Sequence, residues 1–188
     1  SYTDKNILED INLDIYQGDF LLITGPNGGG KTSLLRTILR LQSPTKGRIS
    51  FFRQGEPVSS LDMGYLPQKN SIDSRFPITV EEVVASGLMG NTQKGNTKFD
   101  SKKEIDEMLD LMGITALRNK PIGVLSGGQL QRSLFGRALI SKPEMLILDE
   151  PASYIDRQFG NRMFEILRDL SSNGTTIMMV SHEIEPFI

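Results

Sequence analysis

The sequence of 188 residues contains no cysteine, no tryptophan and a single histidine. Without cysteine, neither a disulfide framework nor a thiolate metal site can form, and one histidine excludes a His/Cys metal cluster within the chain. No apolar stretch approaches the roughly 20 residues that a membrane-spanning helix needs, and no signal peptide is visible at the start. Any association with a membrane is therefore expected to depend on a partner subunit.

Neither sign of charge dominates the composition. The chain has 21 Lys and Arg against 23 Asp and Glu, which gives a net charge of −2. This balance argues against nucleic acid as the main partner, because phosphate backbones attract clustered basic side chains. The length suits one domain with room for a subdomain. Residues 1–3 resemble the middle of a strand and residues 185–188 stop abruptly, so we expect a chain trimmed at one or both ends.

Apolar runs and helical spacing alternate along the chain. Short apolar runs at residues 20–24, 48–52, 63–66, 145–148 and 175–180 predict strands. Helical spacing of apolar residues predicts helices over 31–41, 80–88, 102–112, 129–140 and 157–170. This alternation predicts an α/β fold with a parallel sheet and helices on both faces. Between 68 and 141 the chain predicts mainly helices, with a polar link at 90–100, so an inserted helical lobe is expected here.

A glycine-rich loop lies between the first predicted strand and the first predicted helix. From Gly25 to Thr32 it has the form Gly-x-x-x-x-Gly-Lys-Thr, which is the phosphate-loop pattern. Its glycines let backbone N–H groups surround phosphates, and the helix that follows favours an anion at its N-terminus. Lys31 supplies a charge for the β- and γ-phosphates, and the Thr32 hydroxyl is suited to Mg²⁺. The loop therefore predicts binding of ATP with Mg²⁺. The predicted ATP-binding residues here are Gly25, Pro26, Asn27, Gly28, Gly29, Gly30, Lys31, Thr32 and Ser33.

The apolar run at residues 145–148 ends in two acids, Asp149 and Glu150. Such a strand is typically buried in a parallel sheet, and ligands bind where its carboxyl end emerges. Asp149 is predicted to hold Mg²⁺, and Glu150 to polarise an attacking water as a general base. Two acids at a strand end are common, so the interpretation depends on their pairing with a phosphate loop.

A second candidate anion site lies before the helix predicted at 129–140. The spacing of Ser126 and Gln129 is that of a capping box, which places Ser126 at the helix N-cap. Gly127 and Gly128 leave the first amides of the helix accessible to an anion. An ordinary capped helix would have the same features, and the capping box alone favours that simpler interpretation.

The full segment from Leu125 to Arg132, Leu-Ser-Gly-Gly-Gln-Leu-Gln-Arg, closely resembles the signature of the ATP-binding-cassette (ABC) ATPases. The resemblance extends over nearly the whole chain, and its motifs occur in the family's order. It implies an α/β fold with a P-loop NTPase (RecA-like) core, a mainly parallel sheet, a small antiparallel β subdomain and an inserted helical subdomain. Residues 1–188 would form a single nucleotide-binding domain, with the core and β subdomain at 1–67 and 142–188 and the helical subdomain at 68–141.

Four further residues carry the resemblance. Gln68 resembles the Q-loop glutamine, Asp156 the D-loop aspartate and His182 the switch histidine, and Tyr2 is placed like the aromatic residue that stacks on adenine. The resemblance implies that Gln68 and His182 act in catalysis together with Glu150, and that His182 contacts the γ-phosphate. The implied Mg²⁺ ligands are Thr32, Gln68 and Asp149.

The resemblance also implies a dimer. In the family, two such domains pair head to tail, and each ATP lies between the phosphate loop of one and the signature helix of the other. This chain would therefore hold halves of two different sites, and an ATP-dependent homodimer would complete both. The signature residues expected to contact the partner's ATP are Leu125, Ser126, Gly127, Gly128 and Gln129.

Residues 75–84, together with Gly-Tyr-Leu-Pro-Gln at 64–68, resemble the ATPase subunits of bacterial zinc and manganese importers. A generic helix start, with Thr79 capping and Glu82 three residues on, is the simpler interpretation of part of this segment. The resemblance implies ATP hydrolysis that energises import of a divalent metal ion. The implied partners are a transmembrane permease that contacts the helical subdomain and Q-loop, a second copy, and an extracytoplasmic substrate-binding protein. The chain would lie in the cytoplasm, on the inner face of the membrane through the permease.

Two soluble kinds of cassette ATPase, not coupled to transport, are the alternatives. Those of DNA repair or chromosome maintenance insert long coiled coils or zinc modules between the phosphate loop and the signature, and here the interval from Thr32 to Leu125 has no heptad run and no cysteine. Translation-associated factors carry two cassettes in one chain, and this chain has one. The sequence therefore favours the importer.

Overall fold

The computed structural model describes residues 8–68, 77–89, 98–153 and 156–181, with the side chains of residues 98–100 excepted. Tyr2 and His182 lie outside the described residues, as do parts of the segments at 75–84 and 90–100. None of the helices in the described ranges has both the length and the apolarity to cross a membrane.

Six strands and five α-helices make up the described chain. In chain order, the strands are β1 (Phe20–Ile23), β2 (Phe51–Arg53), β3 (Glu56–Val58), β4 (Met63–Leu66), β5 (Met145–Asp149) and β6 (Thr176–Val180). The α-helices are α1 (Lys31–Ile38), α2 (Val80–Ala85), α3 (Lys98–Leu111), α4 (Gly127–Leu139) and α5 (Arg157–Ser172). Short 3₁₀ helices occur at Ser86–Leu88, Thr115–Leu117 and Ile122–Val124.

The central sheet is parallel and has the strand order β1-β6-β5-β4. Every residue of β5 and of β6 is buried. Both strands are almost entirely apolar, which is the pattern expected of parallel strands covered on both faces. The expected parallel sheet is confirmed, and its four carboxyl ends lie along one edge.

The alternation of side chains along β5 and β6 divides the core between the two faces of the sheet. On one face, Leu146 and Leu148 pack in a cluster with residues of α2 to α5. On the other face, Met145 and Ile147 pack with α1 and with Phe51 of β2. Helices therefore cover both faces, as the sequence predicted.

The signature helix α4 approaches the sheet unusually closely at Gly64 of β4. A Cβ at this position would lie 2.1 Å from the backbone oxygen of Ala138, which is shorter than any real contact. Gly87 makes a similar approach, where a Cβ would lie 2.1 Å from the backbone oxygen of Arg137. Glycine is required at both positions because backbone atoms, which cannot rotate away, occupy the space.

The small antiparallel sheet is the hairpin β2–β3. Its two-residue turn, Gln54 and Gly55, has φ values of 53° and 85°. This left-handed backbone matches the turn to the right-handed twist of the two flanking strands. The Arg53 guanidinium donates two hydrogen bonds to the Glu144 carboxylate, at 2.7 and 2.6 Å, and so joins the hairpin to the residue before β5. The pKa of Glu144 is lowered chiefly by this bond from Arg53.

Several predicted boundaries were wrong. Helix α1 ends at Ile38 rather than at residue 41. The reason is that Arg40 has a left-handed backbone, with φ 57°, and the Leu41 N–H donates a hydrogen bond to the Arg36 carbonyl at 2.9 Å. The strand predicted at 48–52 is β2, three residues long. Strand β3 was not predicted. Helix α3 begins at residue 98, inside the link predicted at 90–100.

Candidate nucleotide-binding site

The predicted site residues follow the carboxyl ends of the parallel strands. The phosphate loop leaves β1, Gln68 follows β4, and Glu150 follows Asp149, the last residue of β5. In the strand order, only β6 lies between β1 and β5, and β5 ends in Asp149. Residues far apart in sequence therefore meet at one edge of the sheet, where ligands of open α/β sheets bind.

The phosphate loop has the backbone geometry of an anion site. Gly28 and Gly30 have φ values of 78° and 83°, which residues with a Cβ rarely adopt. Gly30 is the N-cap of α1 and contributes no side chain, so the first amides of the helix face the loop uncovered by a cap. The Lys31 ammonium donates to the carbonyls of Gly25 and Pro26 at 2.8 and 2.9 Å, which holds it over the loop.

Thr32 and Asp149 meet directly across the sheet edge. The Thr32 hydroxyl donates to Asp149 Oδ2 at 2.9 Å, although the two residues are 117 positions apart. Asp149 is only 1% exposed. A hydroxyl and a carboxylate are the hard oxygen donors that Mg²⁺ prefers, so the residues present fit this ion.

Glu150 is held in a constrained backbone. Its φ is 53°, a left-handed value that costs a residue with a Cβ roughly 1–2 kcal/mol. Its N–H donates to the Val180 carbonyl at 2.9 Å, and its carbonyl accepts from Ser153 N–H at 3.2 Å. The side chain is buried at 8% exposure. Such strain occurs often at active sites, where the surrounding structure maintains it.

One cavity joins these groups. Its volume is about 250 Å³. Gln68, which is exposed, lies on its wall with Asp149 and Glu150. The lining residues are Asn27, Gly28, Gly29, Gly30, Lys31, Thr32, Ser33, Gln68, Asp149 and Glu150. The structure therefore brings the phosphate loop, Gln68 and the two acids together in one cavity.

The signature segment lies at the start of α4 and is not among the residues that line this cavity. The capping box is confirmed: Gln129 N–H donates to Ser126 Oγ at 3.3 Å, and Ser126 N–H donates to Gln129 Oε1 at 3.0 Å. Ser126 and Gly127 are exposed and Gly128 is half-buried. The helix end is thus presented at the surface and outside the cavity of its own chain.

Asp156 is the N-cap of α5 and accepts from Phe159 N–H at 2.9 Å. Its other oxygen accepts from Arg132 of α4 at 2.5 Å. The pKa of Asp156 lies below its ordinary value, first because of the Phe159 amide and then because of Arg132. The predicted D-loop residue therefore ties the signature helix to α5.

Sequence reasoning missed Gln131. This residue is 2% exposed, and its amide donates to the Pro151 carbonyl at 3.3 Å. It lies on the face of α4 that also carries the buried Leu134 and Phe135. A glutamine at an apolar position of the helical pattern was the available signal, because a buried amide needs a partner.

The geometry defines a class, the P-loop ATPases, because a phosphate loop and a pair of acids share one edge of a parallel sheet. A family model described as "ABC transporter" matches residues 8–153. The chain therefore belongs to the ABC transporter family and is a nucleotide-binding ATPase of that family.

The comparison with known proteins gives the same result. The chain is 42% identical over 183 residues to a probable metal transport system ATP-binding protein of Chlamydia pneumoniae, covering 95% of this chain and 74% of that protein. It is 35% identical over 184 residues to the zinc import ATP-binding protein ZnuC of Haemophilus influenzae, covering 97% of this chain and 63% of that protein. The structure resembles the cassette MJ0796, solved as a dimer in a post-hydrolysis state bound to ADP and Pi, with a TM-score of 0.82 at 27% identity over 96% of this chain and 82% of that one.

Proposed function

We propose that this chain binds ATP with Mg²⁺ and hydrolyses it to energise zinc import through a separate membrane permease. The observation that carries the ATPase part is the Thr32–Asp149 hydrogen bond in a cavity that also holds Lys31, Gln68 and Glu150. Zinc as the cargo rests on relatives that are named for metal transport and zinc import.

The chain's residues divide the chemistry between binding and proton transfer. The amides of the loop and of the first turn of α1 would hold the phosphates, with the Lys31 ammonium on the β- and γ-phosphates. Glu150 would accept a proton from the water whose oxygen attacks the γ-phosphorus. The bond from that phosphorus to the bridging oxygen then breaks, and ADP and phosphate are released. Mg²⁺, held by Thr32, Asp149 and Gln68, would neutralise charge on the phosphate oxygens.

The second half of the site would come from another copy. The exposed N-terminus of α4, with Ser126 as its cap, has accessible amides but lies outside the cavity of its own chain. A head-to-tail homodimer would place this end over the ATP of the partner, and Tyr2 and His182 would add the adenine and γ-phosphate contacts. The dimeric state of MJ0796 supports this arrangement for a cassette of the same fold.

The helical lobe would contact the permease. Its described helices are α2, α3 and α4, and we retain the predicted boundaries of 68–141 for the lobe and 1–67 with 142–188 for the core. Gln68 follows β4 and lines the cavity, so movement at the nucleotide can reach the start of the lobe. In the same system, an extracytoplasmic protein would deliver the ion, and the chain would lie at the inner face of the membrane.

Two experiments test the proposal. Glu150→Gln should bind ATP and dimerise but hydrolyse ATP at least about 100-fold more slowly, because the base is lost while the binding groups remain. Normal ATP hydrolysis by the purified variant would contradict the role of Glu150 as the general base. Uptake of ⁶⁵Zn, ⁵⁴Mn and ⁵⁵Fe should then be measured in cells that lack the gene. Loss of zinc uptake with unchanged manganese and iron uptake supports zinc as the cargo. Normal zinc uptake contradicts it.

A further inference from the structure

Two polar side chains at the start of α4 reach the chain that follows Glu150. The buried Gln131 amide donates to the Pro151 carbonyl at 3.3 Å. The adjacent Arg132 donates to Asp156 at 2.5 Å, and its guanidinium carbon lies 4.3 Å from the centre of the Phe159 ring. Helix α4 thus holds both ends of the segment 151–156.

The Gln131–Pro151 contact lies one residue after Glu150, the proposed general base. Glu150 is left-handed, and its N–H is fixed by Val180 of β6. One residue after Glu150, the Pro151 carbonyl accepts a hydrogen bond from the Gln131 amide. A left-handed residue with a Cβ relaxes when its neighbours release it, because the conformation is maintained by its surroundings. Gln131 is therefore one of the contacts that oppose this relaxation.

We propose that Gln131 and Arg132 are positioning residues that hold the segment after Glu150, so that the general base is fixed by the same helix that carries the signature at its N-terminus. Neither side chain lines the cavity, so Gln131 acts through the Pro151 carbonyl and Arg132 through the Asp156 carboxylate. Gln131 and Arg132 would then position the general base of this chain, while the preceding turn of α4 would contact the nucleotide bound to a second copy. The inference rests on the proposed role of Glu150.

The test is steady-state ATP hydrolysis by the full chain carrying Gln131→Met, which keeps the side-chain length but loses the donor. We expect kcat to fall about 10- to 100-fold with KM for ATP unchanged, because a small misplacement of a catalytic group costs this much. Ser133→Ala is the matched control. Ser133 is also buried on α4 and donates only within its helix, to the Gln129 carbonyl at 2.9 Å, so this variant should keep its kcat.

Arg132 provides a second variant that keeps the proposal testable if Gln131→Met does not fold. Its side chain is 24% exposed, so Arg132→Gln can be accommodated in the fold. We expect a fall in kcat, again at constant KM, and partial recovery in Arg132→Lys, which retains a charge for Asp156 but not the planar stack on Phe159. An unchanged kcat in Arg132→Gln, or no recovery with lysine, would overturn the inference.

One further measurement separates positioning from an effect on the signature. In a Glu150→Gln background, ATP-induced dimerisation should be equal with and without Gln131→Met, as followed by size-exclusion chromatography. Loss of the dimer would assign the effect to the signature and overturn the inference. Normal turnover by Glu150→Gln itself would instead contradict the proposed function, so the two failures are distinguishable.

Discussion

The contact between Thr32 and Asp149 predicts two separate effects of one substitution, Thr32→Val. Valine keeps the branched shape of threonine but removes the hydroxyl that donates to Asp149 Oδ2 at 2.9 Å. Removing one partner of a buried hydrogen bond costs about 1–3 kcal/mol, and Asp149 is 1% exposed. In a chain of this size, 1 kcal/mol moves the melting temperature by about 2–4 °C, so we expect a decrease of about 2–12 °C without ligands.

The second effect concerns Mg²⁺. In EDTA, ATP binding depends on the loop amides and Lys31. The ATP affinity of Thr32→Val should therefore match that of the unchanged chain within about twofold. With Mg²⁺ present, the gain in ATP affinity should fall about 10- to 100-fold, since a ligand of the ion is missing. Isothermal titration with and without EDTA measures this difference.

Thr32→Ser is the matched control, because it keeps the hydroxyl and loses only a methyl group. It should retain most of the stability and most of the Mg²⁺-dependent gain. If Thr32→Val melts at the temperature of the unchanged chain and binds Mg-ATP equally well, the reasoning from the Thr32–Asp149 contact is refuted.

Three further predictions address packing, the signature and pH. Gly64→Ala should lower the free energy of unfolding by about 1–3 kcal/mol, because its Cβ would lie 2.1 Å from a backbone oxygen of α4. Gly160→Ala, where a Cβ in α5 would meet nothing within 4 Å, should instead raise it by up to about 1 kcal/mol, and equal urea midpoints would contradict both. Ser126→Arg should abolish steady-state hydrolysis without weakening ATP binding to the monomer, whereas Ser126→Ala loses only the cap, so equal inactivity of both variants would argue against a steric block at the dimer interface. Because the bond from Arg53 lowers the folded-state pKa of Glu144, this carboxylate stabilises the fold above its ordinary value of 4.5 and loses that contribution as the pH falls through its folded pKa. The stability difference between the unchanged chain and Glu144→Gln should therefore be largest near neutral pH and shrink in acid, and a constant difference across the titration would contradict this account.

Sequence patterns predicted best where the interaction is local. The capping boxes of Ser126 with Gln129 and of Thr79 with Glu82 are both present in the structure. Each joins residues three positions apart, so the spacing itself specifies the contact. The phosphate loop is local as well, and its Gly25, Gly28 and Gly30 adopt positive φ values that favour glycine.

Boundaries were predicted less well because they depend on contacts made elsewhere. Helix α1 stops where Arg40 takes a left-handed backbone, a position that glycine usually occupies and that composition did not mark. The Arg40 guanidinium carbon lies 4.9 Å from the centre of the Phe51 ring, in the hairpin of which the apolar pattern predicts only the first strand. Strand β3 was missed because Pro57 lies inside it, and proline lowers the strand signal.

The sequence by itself determined the inventory of the site: the loop, the acids, the signature and their order along the chain. Their arrangement was decided by the tertiary structure. Thr32 meets Asp149 across 117 positions only because β6, formed late in the chain, lies between β1 and β5 in the sheet. Gln131 reaches Pro151, 20 positions away, because the fold brings α4 beside the chain that follows β5. Such contacts depend on strand order and close packing, which no local spacing encodes.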